Sequence, residues 1–465
     1  SIRTGGDRGL EPALGAAGAP GHAAQRPAVA GDDQGVAAEL LAQHLRQRLQ
    51  VRQRGGGGTD EAQVLVAEAR VGRAPTKLIF VRPRDRVQWV TAYAVEPLRR
   101  ISLSGRAFGE LEAALAGAAP AAKGRILADL GRWQEAEALF RAPVANGFSD
   151  PLGAGYAALR HGKPEEAQTL FDRVGAVQAG EAELLALGRV SLSLVTDDFA
   201  RAFAALTALT REARPTQPAA YLLLADLMLY AGNNEQALAY LNQGLERFPG
   251  DARLHSALSG AYLFADERGK SREAVAAARQ RDARAPEAAL AAGDLARIEG
   301  DGKAATQAYR SAIALKPADD RGWYGLGRVN TEKEEVREGR SNLAKALELN
   351  PRGPGYQGEL GTLESFANNF PDARSAFETA LAQNPDDYVA LTGLGLLELK
   401  RGNTEAALES FLRAGLMEPR YARAHVYTGV AYYQMGRVRE ALQELDRASQ
   451  LDDKDPLPHF MASII

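Results

Sequence analysis

Histidine, cysteine and glycine-rich loops are the parts from which enzyme sites are most often built, and their spacing in this chain builds none. The six histidines stand at 22, 44, 161, 255, 425 and 459, so no two share a helix face in the HExxH manner that ligates zinc. There is no cysteine, which excludes thiolate metal sites, iron–sulfur clusters, disulfides and cysteine nucleophiles together. The run GxxxxGK followed by Ser or Thr is missing, and Gly55–Gly58 lacks the strand-then-helix setting that a phosphate loop needs. No segment of non-repeat composition is large enough to hold a general acid–base pair. The expectation is a chain with no catalytic residues, no resident metal and no cofactor.

Composition points the same way. Of 465 residues, 45% are hydrophobic and 25% charged, and 56 basic against 59 acidic side chains leave a net charge of -3. This is the balance of an ordinary globular chain with material for a core, and it gives no reason to expect a nucleic-acid partner. No apolar run is long enough for a transmembrane helix.

Three zones follow along the chain. Residues 1–76 contain no Phe, Trp, Tyr or Lys and offer few large side chains to bury, which predicts a low-complexity, mostly disordered segment. Within it Leu40, Leu41, Leu45 and Leu49 have the spacing of a loose amphipathic helix. Residues 77–103 read as a short β-like segment: Leu78–Val81 is an apolar run, and Val87, Trp89, Thr91, Tyr93 and Val95 alternate with Arg86, Gln88 and Glu96. Residues 104–465 are rich in Ala, Leu, Glu and Arg.

In that third zone Gly293, Gly327, Gly361, Gly395 and Gly429 recur every 34 residues. Ala305, Gly339, Ala373, Ala407 and Ala441 keep the same period, as do Tyr309, Leu343, Phe377, Phe411 and Leu445, and so do Pro317, Pro351, Pro385 and Pro419. Upstream, Ala136, Ala167, Ala202, Ala237 and Ala274 continue the pattern less regularly. The physical reading is two antiparallel helices per unit: a small residue lets the backbones cross closely, a large apolar one fills the gap a turn later, and proline breaks the second helix. About ten units run from Gly105 to Asp453, and a truncated eleventh starts at Pro456.

This pattern resembles the tetratricopeptide repeat over roughly three quarters of the chain, with Trp323-Tyr324-Gly325-Leu326-Gly327 close to the family's opening motif. The β-like junction shows a weaker resemblance to envelope proteins in which a FecR-like domain precedes such repeats; it implies a periplasmic or envelope location, and without it the expectation is cytoplasmic. The repeat resemblance implies an all-α, right-handed superhelical solenoid whose first helices line a concave binding face. It also locates the positions that would carry Asn and Lys in a carboxylate clamp. Here they carry Asp226, Leu263, Asp294, Arg328, Thr362, Leu396 and Val430, and three residues before the glycines Leu222, Ser259, Leu290, Tyr324, Gly358, Thr392 and Val426. No clamp for acidic peptide ends is present.

Two candidate contact regions remain on that face. Val389, Thr392, Leu396, Leu399, Val426, Tyr427, Val430 and Tyr433 form an apolar strip, which is either a docking groove for a partner segment or packing between helices. Tyr324, Arg328 and Arg321 make a polar patch that could hold an anionic group of a peptide. His255 and His425 each open a first helix, where packing or capping is the commoner role. The function expected is a non-catalytic scaffold that binds a partner protein or peptide. The alternative is a regulatory or substrate-presenting arm of a larger assembly whose chemistry lies on another chain. The apolar end Met461-Ala462-Ser463-Ile464-Ile465 further predicts a missing continuation and self-association through an uncapped terminus.

Overall fold

The computed structural model describes residues 63–71, 74–82, 96–144, 147–175, 179–196, 198–211, 215–230, 233–385, 387–418, 421–451 and 455–465. The chain divides into two compact units, one of residues 85–385 and one comprising residues 1–84 and 386–465.

In the second of these, β1 (Gln63–Val71) and β2 (Ala74–Arg82) pair antiparallel, with Val71 opposite Ala74 and Gln63 opposite Arg82. The strand β1 therefore falls inside the stretch expected to be low-complexity. Val64, Leu65 and Val66 stand in register with Val81, Phe80 and Ile79, and a two-residue link is the favoured hairpin length. The strand expected over Val87–Val95 and the helix around Leu40–Leu49 lie outside the described residues.

The larger unit opens with a helix, α1 (Glu96–Arg100), where the β-like segment was expected to continue. An irregular stretch with bends, a 3-10 turn at Phe108–Glu110 and α2 (Leu111–Leu115) follow. Eight helix pairs come next: α3 (Pro120–Asp129) with α4 (Trp133–Phe140), α5 (Pro151–Arg160) with α6 (Pro164–Asp172), α7 (Ala179–Val195) with α8 (Phe199–Arg211), and α9 (Ala219–Tyr230) with α10 (Asn234–Arg247). The series continues with α11 (Ala252–Phe264) and α12 (Arg268–Arg281), α13 (Pro286–Ile298) and α14 (Gly302–Leu315), α15 (Asp320–Glu332) and α16 (Val336–Leu349), then α17 (Tyr356–Phe366) and α18 (Phe370–Gln383). A two-residue ladder, β3 (Pro143–Val144) with β4 (Gly147–Phe148), closes the turn before α5. Residues 387–465 hold α19 (Tyr388–Lys400) with α20 (Thr404–Met417), α21 (Ala422–Gln434) with α22 (Val438–Leu451), and the single helix α23 (Leu457–Ile464).

The 34-residue register has a direct steric cause. A Cβ placed on Gly293, Gly327, Gly361 or Gly395 would stand 2.5 Å from the side chain of Tyr309, Leu343, Phe377 or Phe411 respectively. Glycine is required there because the second helix lays its large side chain on the first helix's backbone. Beside it the small residues Ala136, Ala167, Ala202, Ala237, Ala305, Ala373, Ala407 and Ala441 are all 0% exposed. Asp150, Asp251, Asp319 and Asp387 cap the N-termini of α5, α11, α15 and α19 by accepting backbone N–H groups. Inside the six pairs from α11 to α22 the turn holds one left-handed residue, and Asp266, Gly300, Glu334, Asn368, Gly402 and Gly436 fill that position at φ 56° to 82°. Asp266, Glu334 and Asn368 are, among the described residues, the three non-glycine residues holding this costly conformation.

Candidate functional site

The apolar strip of α19 and α21 is largely interhelical packing. Val426 is 0% exposed in a cluster with Leu445 and Ala448. Thr392 is buried, and its hydroxyl donates to the Tyr388 carbonyl at 2.7 Å. Leu396, Leu399 and Tyr427 rest on the core formed by Ala407, Leu408, Phe411, Ala431 and Tyr432, and the Tyr427 ring lies 5.7 Å from that of Phe411. Val389 and Val430 are half-buried, while Tyr433 is 39% exposed. Leu396→Asp is accordingly expected to destabilise this unit by about 2 kcal/mol or more through a charge forced against apolar neighbours. Tyr433→Ala should stay within about 0.5 kcal/mol. Urea titration of the two variants checks this, and equal stabilities would place Leu396 on a solvated groove.

The polar patch is an ion-pair network in which each cation already has a carboxylate. Arg321 donates to Asp319 at 2.6 and 2.9 Å and to Glu287 at 3.4 Å. Burial alone would raise the Asp319 pKa, but the charge and hydrogen bonds of Arg321 hold it well below the usual carboxylate range. Arg328 lies over the Tyr324 ring at 5.6 Å and within 4.0 Å of Glu359, whose carboxyl burial pushes up in pKa while Arg328 opposes the rise. Tyr324 in turn stacks on Tyr356 at 4.3 Å. An anionic ligand here would have to displace carboxylates already in place. His425 is buried against Glu444, with Nδ1 at 2.7 Å. Among the described residues no group of His, Cys, Asp and Glu is arranged to hold a metal.

A different arrangement, not singled out by the sequence, lies in the larger unit. The end of α1 and the irregular segment after it lie against first helices, and residues far apart in sequence converge on them. Arg99 Nη2 donates to both oxygens of Asp320 at 2.5 and 2.7 Å. Asp320 opens α15, is 4% exposed, and also accepts from the Tyr356 hydroxyl at 2.6 Å and from Asn350 at 3.1 Å. Arg100 makes a two-pronged pair with Asp226 of α9, both bonds 2.8 Å.

Next along the segment the main chain itself is read. Ser102 N–H donates to Gln217 Oε1 at 2.8 Å, and Gln217 Nε2 donates back to the Ser102 carbonyl at 3.2 Å. Asp129, the last residue of α3, accepts from the backbone N–H of Leu103 and Ser104, each at 2.9 Å, and from the hydroxyls of Ser102 and Ser104 at 2.9 and 2.6 Å. Leu98, Ile101 and Leu103, each at most 8% exposed, anchor the segment in the core that includes Leu127 and Leu159. A cavity of about 470 Å³ remains beside it, bordered by Arg253, Lys316 and Asp282 among others. The chain turns far enough within this unit that a Cβ on Gly131, after α3, would come within 3.0 Å of Ala318, before α15.

Known proteins place this architecture. Tetratricopeptide-repeat profiles match residues 196–261, 359–416 and 398–464. Anaphase-promoting complex subunit 3 of Schizosaccharomyces pombe is 27% identical over 149 residues, 32% of this chain and 22% of that protein, so the chain spans about a fifth of the curated relative it matches. The crystal structure of the APC/C hetero-tetramer Cut9–Hcn1 superposes with a TM-score of 0.54 at 16% identity, covering 74% of this chain and 75% of the other. A tetratricopeptide repeat protein from Parabacteroides merdae gives a TM-score of 0.41 at 13% identity over 52% of this chain and 96% of its own. Among the described residues no helix is long and apolar enough to cross a membrane.

Proposed function

The chain is a tetratricopeptide-repeat protein, and from that premise we propose that it is a non-catalytic interaction scaffold whose concave face, in residues 96–385, binds an extended segment of a partner protein. One observation carries the reading. Asp129, Asp226 and Asp320, each on the first helix of its pair, and Gln217 just ahead of α9 already hold a stretch of chain, the end of α1 by charge contacts and the irregular residues after it by main-chain contacts. Groups that bind backbone N–H and C=O accept many sequences, and carboxylates fixed by their own hydrogen bonds add selectivity. The concave face of this unit is therefore a better candidate than the strip on α19 and α21.

The test is site-specific photo-crosslinking in the cell of origin. A photoreactive residue at Arg281, which is exposed and borders the cavity, should capture a discrete partner. The same residue at Arg310, which is exposed on α14 and does not border that cavity, should not. Equal capture from both positions would overturn the assignment to the concave face.

A further inference from the structure

We propose that residues 98–104 are an internal occupant of this channel, and that its external ligand is a partner segment bearing two adjacent arginines at the end of a helical turn, followed by alternating aliphatic and hydroxyl residues in irregular chain, which enters when the internal segment leaves. The inference rests on the concave-face reading above and adds to it the chemistry of the ligand and the means of control.

Charge complementarity is the first argument. With the segment absent, Asp129 and Asp320 would stand with Glu110, Asp251, Asp282, Glu287 and Asp319 against the fewer cations Arg160, Arg253, Arg281 and Lys316, and Asp226 would lose Arg100, so the channel calls for a cationic occupant. Asp320 cannot simply relax away, because Tyr356 and Asn350 fix it from behind. The Asp226 site adds planar two-point recognition, which selects arginine over lysine.

The second argument is the form of the segment. A structural element buried for stability alone would satisfy its backbone internally, as the helices around it do. Here Ser102, Leu103 and Ser104 take their main-chain hydrogen bonds from the side chains of Gln217 and Asp129, which is how a bound peptide is held. Its C-terminal side leads into Gly105, Arg106 and Ala107, all exposed, and nothing lies within 4 Å of a Cβ built on Gly105. The tether is thus short and solvated, and a segment so attached competes with an outside ligand through its high effective concentration.

The experiment uses the full chain with a protease site replacing exposed Arg106, and a fluorescent peptide with the sequence of residues 96–107. Before cleavage the peptide should bind weakly. After cleavage it should exchange with the N-terminal piece and bind at least about tenfold more tightly, the tether's advantage having been removed. A peptide with both arginines replaced by glutamate should not bind. Asp320→Asn in the cut chain should abolish uptake, and should that variant lose its helical signal, Asp226→Asn provides the second reading with a severalfold loss.

Two results would overturn the proposal. In one, the cleaved piece comes away and the helical circular dichroism collapses, which would make the segment a core element. In the other, the fold persists but the glutamate peptide binds as well as the arginine one. Capture at Arg281 without any exchange of the segment would sink the displacement step alone, whereas clean exchange with no capture would sink the partner reading and leave the latch.

Discussion

Asp320→Ala is expected to cost about 3–5 kcal/mol, because it leaves the Arg99 guanidinium buried without its carboxylate. The side chains of the pair are 13% and 5% exposed, so water replaces little of what is lost. The Arg100–Asp226 pair makes the contrast: its members are 23% and 35% exposed, and Asp226→Ala should cost no more than about 1 kcal/mol. Replacing both members of the inner pair by apolar residues, Arg99→Met with Asp320→Leu, should hurt less than Asp320→Ala alone, since no charge is then stranded. Urea unfolding of the single and double variants measures each term. If Asp320→Ala cost under about 1 kcal/mol, the guanidinium would be reaching water and the segment would not be seated as described.

That pair was illegible in the sequence for a physical reason. Arg99 and Asp320 are 221 residues apart and Arg100 and Asp226 are 126 apart, and no local periodicity links such positions. Arg99 and Arg100 also fall in the stretch read as β-like, whereas the structure makes Glu96–Arg100 helical. One signal was visible. Asp226 occupies a groove position that the family pattern reserves for a ligand contact, and its negative charge there is incompatible with a clamp for acidic peptides. An acidic residue there predicts a basic ligand equally well.

The helical pairs were legible because each repeat carries its own steric rule within a few turns. Gly361 and Phe377, or Gly395 and Phe411, are sixteen residues apart and touch in every regular unit, so the period exposes the contact. The groove assignments were harder because packing and groove residues alternate on one first helix. Val426 and Tyr433 share the same apolar character in the sequence, yet one is 0% and the other 39% exposed. Side-chain type does not separate them; only the placement of the neighbouring α22 and α23 does. The carboxylates beside the arginine patch were hidden for a related reason, since Glu287 and Glu359 come from neighbouring first helices and a single-repeat reading does not bring them in.

Phe411→Ala should have an effect of the same order as the loss of Asp320, about 3–5 kcal/mol, by a purely apolar route. Phe411 is 0% exposed and fills the crossing of α19 and α20, with its ring against Gly395 and 5.7 Å from that of Tyr427. Collapse around the cavity is limited, because Gly395 has no side chain to move in and Ala407 beside it is equally small. The strip residues Leu396, Leu399 and Tyr427 rest on the same cluster, so they lose support together. Phe411→Leu keeps most of the volume and should cost under about 1.5 kcal/mol, and Leu442→Ala, at a site 40% exposed, should stay within about 0.5 kcal/mol. Urea titration gives the three energies, and amide exchange should show Phe411→Ala deprotecting α19, α20 and α21 together, as nearest-neighbour stacking requires. If exchange instead quickened in α20 alone, the strip on α19 and α21 would not depend on Phe411, and its standing as a surface free to bind a partner would be restored.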